Sequence, residues 1–124
     1  MKFHILAGDK VIGESDFEDL DPSMGAAHGV FSPSEQYSEA QPVFRLYAEA
    51  GTTVQDQDKE KLEEYYRARD ALNLTIVTLA GEHVATDCVH ITDYSEELGE
   101  MEIDAIAADA DTFQRFFEVS RKTA

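Results

Sequence analysis

Residues 74–107 read LTIVTLAGEHVATDCVHITDYSEELGEMEIDAIA, and this stretch decides the fold class. Residues 74–79 include β-branched side chains and place apolar groups on both faces, which is typical of a central strand. Residues 80–82 (Ala-Gly-Glu) predict a tight turn into a second strand over 83–93. Residues 99–107 alternate apolar and acidic side chains, which predicts a half-buried strand with an acidic outer face. Strands joined by tight turns are antiparallel, because parallel strands need long crossovers.

The N-terminal part of the chain predicts three further strands. Residues 2–7 and 10–14 flank the dipeptide Gly8-Asp9, which is typical of a hairpin turn. Residues 21–25 (Asp-Pro-Ser-Met-Gly) have the composition of another turn, and residues 28–31 predict a short strand after it. An antiparallel hairpin and a short strand therefore precede the first helix.

Two helical segments are predicted in the middle of the chain. Residues 32–35 (Ser-Pro-Ser-Glu) predict a helix start, because serine caps a helix and proline fits its first turn. Pro42 predicts a break or restart of that helix, because proline has no backbone N–H. Residues 43–50 have helical spacing, and a strand over 43–49 is the competing interpretation. Residues 58–72 predict the clearest helix of the sequence, because their apolar side chains form one stripe.

The C-terminal segment predicts a third helix. It begins at Asp111, with Gln114 as a capping-box partner and with three aromatic side chains facing inward, Phe113, Phe116 and Phe117. The resulting order ββ-β-α-α-βββ-α predicts one α+β domain over residues 1–124. In this fold a single antiparallel sheet of about five to six strands is covered on one face by two to three helices.

Composition argues against several classes of protein. The 124 residues include 26 Asp and Glu against 10 Lys and Arg, which gives a formal net charge of −16, and 43% hydrophobic residues suffice for a folded core. A charge this negative argues against nucleic acid and anionic membranes as partners. No apolar run approaches the roughly 18 residues of a membrane helix, and no signal peptide opens the chain. The single Cys88 fits a reducing compartment, so we expect a cytoplasmic protein.

The acidic residues are concentrated in two segments. Residues 11–44 contain seven acids without any Lys or Arg, and residues 70–114 contain eleven acids without any Lys or Arg. Such a concentration costs stability through self-repulsion but steers a cationic partner toward the protein. The competing interpretation is solubility, or the acidic bias of a whole proteome.

The leading hypothesis is a small, non-enzymatic α+β module that binds a basic protein through an acidic face, as an immunity-type or regulatory inhibitor would. The candidate partner-binding residues come from both acidic segments: Asp16, Glu18, Asp19, Asp21, Glu96, Glu97, Glu100, Glu102 and Asp104. This hypothesis requires that the two groups meet on one surface of the fold.

A second hypothesis is a small enzyme or ligand-binding protein with a pocket between sheet and helices. Its candidate residues are His28, Tyr47, Tyr66, Cys88 and His90. Cys88 and His90 share one face of a predicted strand, but residues two apart on a strand are roughly 6–7 Å from each other. A nucleophile and its base need direct hydrogen-bond contact. We therefore predict no catalytic residue.

Metal and cofactor sites have little support in the sequence. No fragment has the ligand spacing of a structural zinc site. Residues 56–67 resemble the first half of a calcium loop, but Lys61 and Arg67 stand where such a loop needs Gly and Glu. We therefore predict neither a metal nor a cofactor. A third hypothesis, a structural oligomer, leaves the oligomeric state open, with a weak homodimer through the aromatic helices as one form.

Overall fold

A computed structural model describes residues 2–50, 58–95 and 98–118. Within these residues three helices and nine strands form two antiparallel sheets, so the α+β class is confirmed and the prediction of a single sheet is wrong. In chain order the elements are β1 (Phe3–Ala7), β2 (Lys10–Ser15), β3 (Asp19–Asp21), β4 (Ala26–Val30), β5 (Ser32–Pro33), α1 (Tyr37–Ala50), α2 (Lys59–Leu72), β6 (Leu74–Thr78), β7 (His83–Val84), β8 (Thr86–Tyr94), β9 (Glu100–Ala107) and α3 (Ala110–Phe113).

The first sheet has the strand order β5-β2-β1-β6-β7, and the second has the order β3-β4-β9-β8. The predicted hairpin of β1 and β2 is confirmed: Ala7 pairs with Lys10 across a two-residue turn, and Gly8 has a φ of +63°. A positive φ at the first turn residue is the requirement of a type II′ hairpin turn, which glycine meets without strain. β6 lies between β1 and β7, as the apolar side chains on both of its faces predict.

The chain leaves the first sheet for the second at Ala85. Residues 83–93 were expected to form one strand, but β7 pairs with β6 in the first sheet and β8 pairs with β9 in the second. The register of β8 shifts between Thr86 and Cys88, which marks a bulge directly after the crossing point. Bulges allow a strand to turn a corner between two packed sheets, and this corner is why the single-sheet prediction fails.

A second corner lies between β2 and β3, at Phe17. This residue has a φ of +45°, which is unusual for a bulky side chain. Its ring is 2% exposed and contacts the ring of Phe3 at 5.5 Å, while its N–H donates to the Ser15 hydroxyl. Gly29 lies against this corner, because a Cβ there would come within 2.9 Å of the Phe17 Cα. Burial of the ring therefore holds a backbone conformation that carries the chain into the second sheet.

Helix α1 differs from its prediction at two places, the expected start at residues 32–35 and the expected break at Pro42. Residues 32–33 form β5 instead of a helix start, because the N–H and hydroxyl of Ser34 donate to Ile12 and Val11 of β2. Pro42 lies inside one continuous helix, and the strand alternative over 43–49 is wrong. Proline at this position removes one backbone hydrogen bond, near the start of the helix. Burial of Phe44 and other side chains on the same face offsets that loss.

Helix α2 begins and ends as the sequence predicts. The Asp58 carboxylate accepts hydrogen bonds from the N–H groups of Glu60 and Lys61, and Asn73 ends the helix with a φ of +52°. The last helix instead begins two residues earlier than predicted, because Asp109 and not Asp111 caps it. Helix α3 continues as a π-helix over Gln114–Glu118. The predicted inward positions of its three aromatic side chains are confirmed, since Phe113, Phe116 and Phe117 are buried.

One hydrophobic core joins both sheets and the helices. Its buried members include Phe3 and Ile5 of the first sheet, Ile103 of the second, and Tyr65 of α2. Helix α1 contacts β8 and β2, so the helices bridge two sheets and do not lie on one face of a single sheet. None of the described helices is long and apolar enough to cross a membrane.

Candidate functional site

One face of the second sheet brings the two acidic segments of the sequence together. On β9 the side chains of Ile103, Ala105 and Ala107 are buried, so the alternate residues Glu102 and Asp104 project to the other face. Cross-strand neighbours share a face, and the register pairs His28 with both Asp19 and Asp104. We call the resulting surface the acidic face, defined by Asp19, Asp21, Glu100, Glu102 and Asp104.

The acidic face is open on the strands β3, β4 and β9. Glu100 and Glu102 are exposed, and alternate residues on a strand lie about 7 Å apart. Two apolar side chains share this face, Val30 with 62% exposure and Ile106 with 36%. The surface is therefore a sheet face that carries several carboxylates and two exposed apolar side chains.

The carboxylates of the acidic face have few cationic partners within the protein. Ion pairs of Lys and Arg with acids involve Glu14, Glu39, Asp70 and Glu82, and none between described residues includes a member of the acidic face. Asp21 accepts a hydrogen bond of 2.6 Å from the Ser23 hydroxyl, which holds the pKa of its carboxyl below the usual value. The negative charge of this face is therefore largely uncompensated.

His28 is the basic group that the acidic face contains. Its Nδ1 lies 2.5 Å from Asp104 Oδ1, and the two side chains are 44% and 38% exposed. Burial is incomplete on both sides of this pair, so it stays in contact with solvent. Asp104 is thus the one member of the face that a histidine partners.

The remaining predicted partner-binding residues border the acidic face at Val30 or lie outside the described part of the chain. Asp16 and Glu18 lie at the corner between β2 and β3, where they line a recess of about 300 Å³ with Lys2 and Val30. Glu18 Oε1 accepts a hydrogen bond of 2.7 Å from the Val30 N–H, so this carboxylate also fastens the corner to β4. Glu96 and Glu97 lie outside the described residues.

His90 belongs to a filled cluster under the helices. The Tyr65 hydroxyl is hydrogen-bonded to His90 Nδ1, the Thr92 hydroxyl oxygen lies 3.0 Å from Nε2, and the Tyr47 ring packs with its centroid 4.4 Å from that of the imidazole. Burial lowers the pKa of His90 to about 4, and burial also raises the pKa of Tyr65. A neutral imidazole donates from one ring nitrogen and accepts at the other, and a hydroxyl can take either role, so both contacts are satisfied. His90 and Tyr47 therefore anchor the helices to β8.

Cys88 and His90 share a face as predicted, but no hydrogen bond joins these two described residues. Cys88 Sγ instead lies 3.7 Å from Arg69 Nη1, in a recess of about 180 Å³ between α2 and β8. The guanidinium of Arg69 also lies over the ring of Tyr66, 5.2 Å from its centroid. Among the alternative candidates, Tyr47 contacts His90, Cys88 and Tyr66 both lie beside Arg69, and His28 lies across Asp104 from His90 in one cross-strand row.

No known protein-family model matches this sequence. No curated protein and no solved structure matches it either. Carboxylates without cationic partners attract ammonium and guanidinium groups, and their interaction weakens as salt screens it.

Sequence reasoning missed Asp93, which is the most constrained acid of the described residues. Its side chain is completely buried, and it accepts hydrogen bonds from Tyr37 (2.6 Å), Gln41 (3.2 Å) and Ser95 (2.6 Å). Burial by itself raises the pKa of this carboxyl, but the hydrogen bonds from Ser95, Tyr37 and Gln41 outweigh it and lower the pKa. The Asp-x-Ser spacing of a turn was a usable local signal for the Ser95 contact. The two donors from α1 have no signal in the sequence.

Proposed function

We propose that this chain is a non-enzymatic protein-binding module whose acidic face binds a basic surface of a protein partner, as an immunity-type or regulatory inhibitor would. One observation carries the proposal. Asp19 and Asp21 from the first acidic segment share a sheet face with Glu100, Glu102 and Asp104 from the second, and no described Lys or Arg pairs with them.

Repulsion among the carboxylates of the acidic face destabilises the free protein, and a cationic partner would relieve it. Like charges about 7 Å apart repel one another, and this repulsion destabilises the free protein at low salt. A cationic partner removes the repulsion and gains a faster association rate from electrostatic steering. The exposed Val30 and Ile106 supply apolar contact area on the same face. Together these features fit a partner surface that is rich in Lys and Arg and also has apolar side chains.

The alternatives have less support. The recess beside Cys88 has a volume of about 180 Å³, below the roughly 300 Å³ at which small-molecule pockets begin. Self-association through the acidic face would place carboxylates against carboxylates, so a homodimer would need another surface. A cytoplasmic location remains part of the proposal, because the single Cys88 suits a reducing compartment.

The test compares two variants that remove the same amount of charge from different places. The double variant Glu100→Gln, Glu102→Gln neutralises the acidic face, and Glu63→Gln, Glu64→Gln neutralises two exposed acids of α2. Binding of a lysine-rich peptide is measured by fluorescence anisotropy at low and high salt. We expect the face variant to bind about tenfold more weakly at low salt, and the helix variant to change about twofold or less.

A pull-down from the native cell completes this test. The wild-type chain should retain a basic protein that a salt wash releases, and the face variant should lose it while the helix variant keeps it. Equal weakening of peptide binding by both double variants would show that net charge alone drives association. That result would contradict the proposal.

A further inference from the structure

His28 lies at the centre of the acidic face. Its strand β4 runs between β3 and β9, and its cross-strand neighbours are Asp19 on one side and Asp104 on the other. The imidazole is 44% exposed, and its Nδ1 is engaged by Asp104 Oδ1 at 2.5 Å. A basic group is thus held within reach of any cation that binds to this face.

Every charged group that faces His28 on the two flanking strands is an acid. Strand β3 contributes Asp19 and Asp21. Strand β9 contributes Asp104 and, two residues away on the same face, Glu102. Beyond Asp104, strand β8 contributes His90, which stays neutral because burial lowers its pKa to about 4. Helix α2 reaches this sheet at β8, where Arg69 lies beside Cys88. Protonation of His28 therefore places one positive charge among carboxylates.

We propose that His28 makes the acidic face pH-sensitive, so that mild acidification weakens its hold on a basic partner. This inference rests on the proposed function, because it concerns the same surface. Histidine is the side chain that ordinarily changes charge between pH 5 and 8. With His28 neutral, its Nδ1–H donates to Asp104 and the face keeps its full negative charge. A proton added at Nε2 neutralises part of that charge and repels an incoming ammonium or guanidinium group.

Two of the other three histidines, His83 and His90, provide the comparison that isolates this effect. His90 is buried and hydrogen-bonded on both nitrogens, so it does not gain a proton in this range. His83 is exposed but lies on β7 in the first sheet. A change of charge at His83 alters the net charge of the protein by the same amount without adding a cation to the acidic face.

The experiment measures the Kd of a fluorescent lysine-rich peptide at constant ionic strength, at about pH 7.5 and about pH 5.5. We expect the wild-type chain to bind about three- to tenfold more weakly at the lower pH. The variant His28→Gln should lose this response, and His83→Gln should keep it. The variant His28→Lys, which carries a fixed charge, should bind at both pH values as weakly as the wild type does at the lower one. Circular dichroism checks that each variant is folded.

The possible failures are distinguishable. A pH response that persists in His28→Gln, or a wild type without any response, overturns the role of His28 alone, provided that neutralising Glu100 and Glu102 still weakens binding. If neutralising Glu63 and Glu64 weakens binding just as much, the proposed function fails and this inference fails with it. If His28→Lys binds as tightly as the wild type at the higher pH, the charge at this position does not control binding.

Discussion

Asp93 and Glu102 are carboxylates on neighbouring strands of one sheet, yet their surroundings are opposite. Asp93 is completely buried and accepts hydrogen bonds from Tyr37, Gln41 and Ser95. Glu102 is exposed, and its cross-strand neighbours are Val30 and Thr92. Asp93 fixes helix α1 to the end of β8, whereas Glu102 is available to a molecule outside the protein.

This contrast shows why a net charge says little about function. Both carboxylates add equally to the formal charge of −16. The Asp93 carboxylate is engaged by donors within the fold, and these hydrogen bonds offset the free-energy cost of burying its charge. Within the acidic face, Glu100 and Glu102 are exposed and make no ion pair with a described Lys or Arg, so they repel one another and their neighbours. Loss of Asp93 should therefore weaken the fold, and loss of Glu100 or Glu102 should not.

The largest expected effect follows from removing Asp93. The variant Asp93→Ala leaves the buried Tyr37 hydroxyl and the half-buried donors of Gln41 and Ser95 without their acceptor. We expect the free energy of unfolding to fall by roughly 2–4 kcal/mol, because each unsatisfied buried group costs about 1–3 kcal/mol. Urea denaturation followed by circular dichroism measures the change.

Asp87 provides the matched control for this prediction, because it lies on the same strand and is exposed. Asp87→Ala should change the free energy of unfolding by no more than about 0.5 kcal/mol. If the two variants lose the same stability, the hydrogen bonds of Asp93 do not hold α1 against β8.

A second effect concerns His90 and acid pH. Burial lowers the pKa of His90 to about 4 in the folded protein, below the ordinary value of 6.5. Between these values the unfolded chain binds a proton that the folded chain does not, so this histidine makes stability fall as the pH is lowered. The loss due to His90 should reach at most about 3 kcal/mol near pH 4.

The variant His90→Gln isolates this contribution, because glutamine retains an acceptor for Tyr65 but does not titrate. The free energy of unfolding, measured from about pH 7 to about pH 4, should fall less steeply in this variant than in the wild type. The exposed His83→Gln variant should follow the wild type. Parallel pH profiles for wild type and His90→Gln would show that the imidazole is accessible to protons in the folded state.

Local patterns in the sequence predict the parts of the fold that depend on neighbouring residues. The hairpin at Gly8, the start of α2 at Asp58, and the alternation along β9 are all of this kind. The two corners are different, because Phe17 adopts its positive φ only when its ring is buried by distant residues. Local patterns therefore predict several of the strands correctly, but they do not show that these strands form two sheets instead of one.

The same division applies to the candidate site. The alternation of acids along residues 100–104 is visible in the sequence, and so is the second acidic group at residues 16–21. That Asp19 lies in one row with Asp104 depends on the pairing of β3, β4 and β9, which no local pattern specifies. The pairing of His28 with Asp104 depends on the same register, across residues that are 76 positions apart in the chain.

A weaker effect on stability is expected at Glu102, the exposed member of the pair. Because Glu100 and Asp104 flank Glu102 along the exposed face of β9, the variant Glu102→Gln removes repulsion and should raise the free energy of unfolding slightly, by no more than about 0.5 kcal/mol at low salt. The gain should disappear at high salt, since screening removes the repulsion. Glu63→Gln on α2 should bring no gain, because Arg67 follows it by one helical turn. A loss of stability in Glu102→Gln that persists at high salt would mean that this carboxylate, like Asp93, is a structural group.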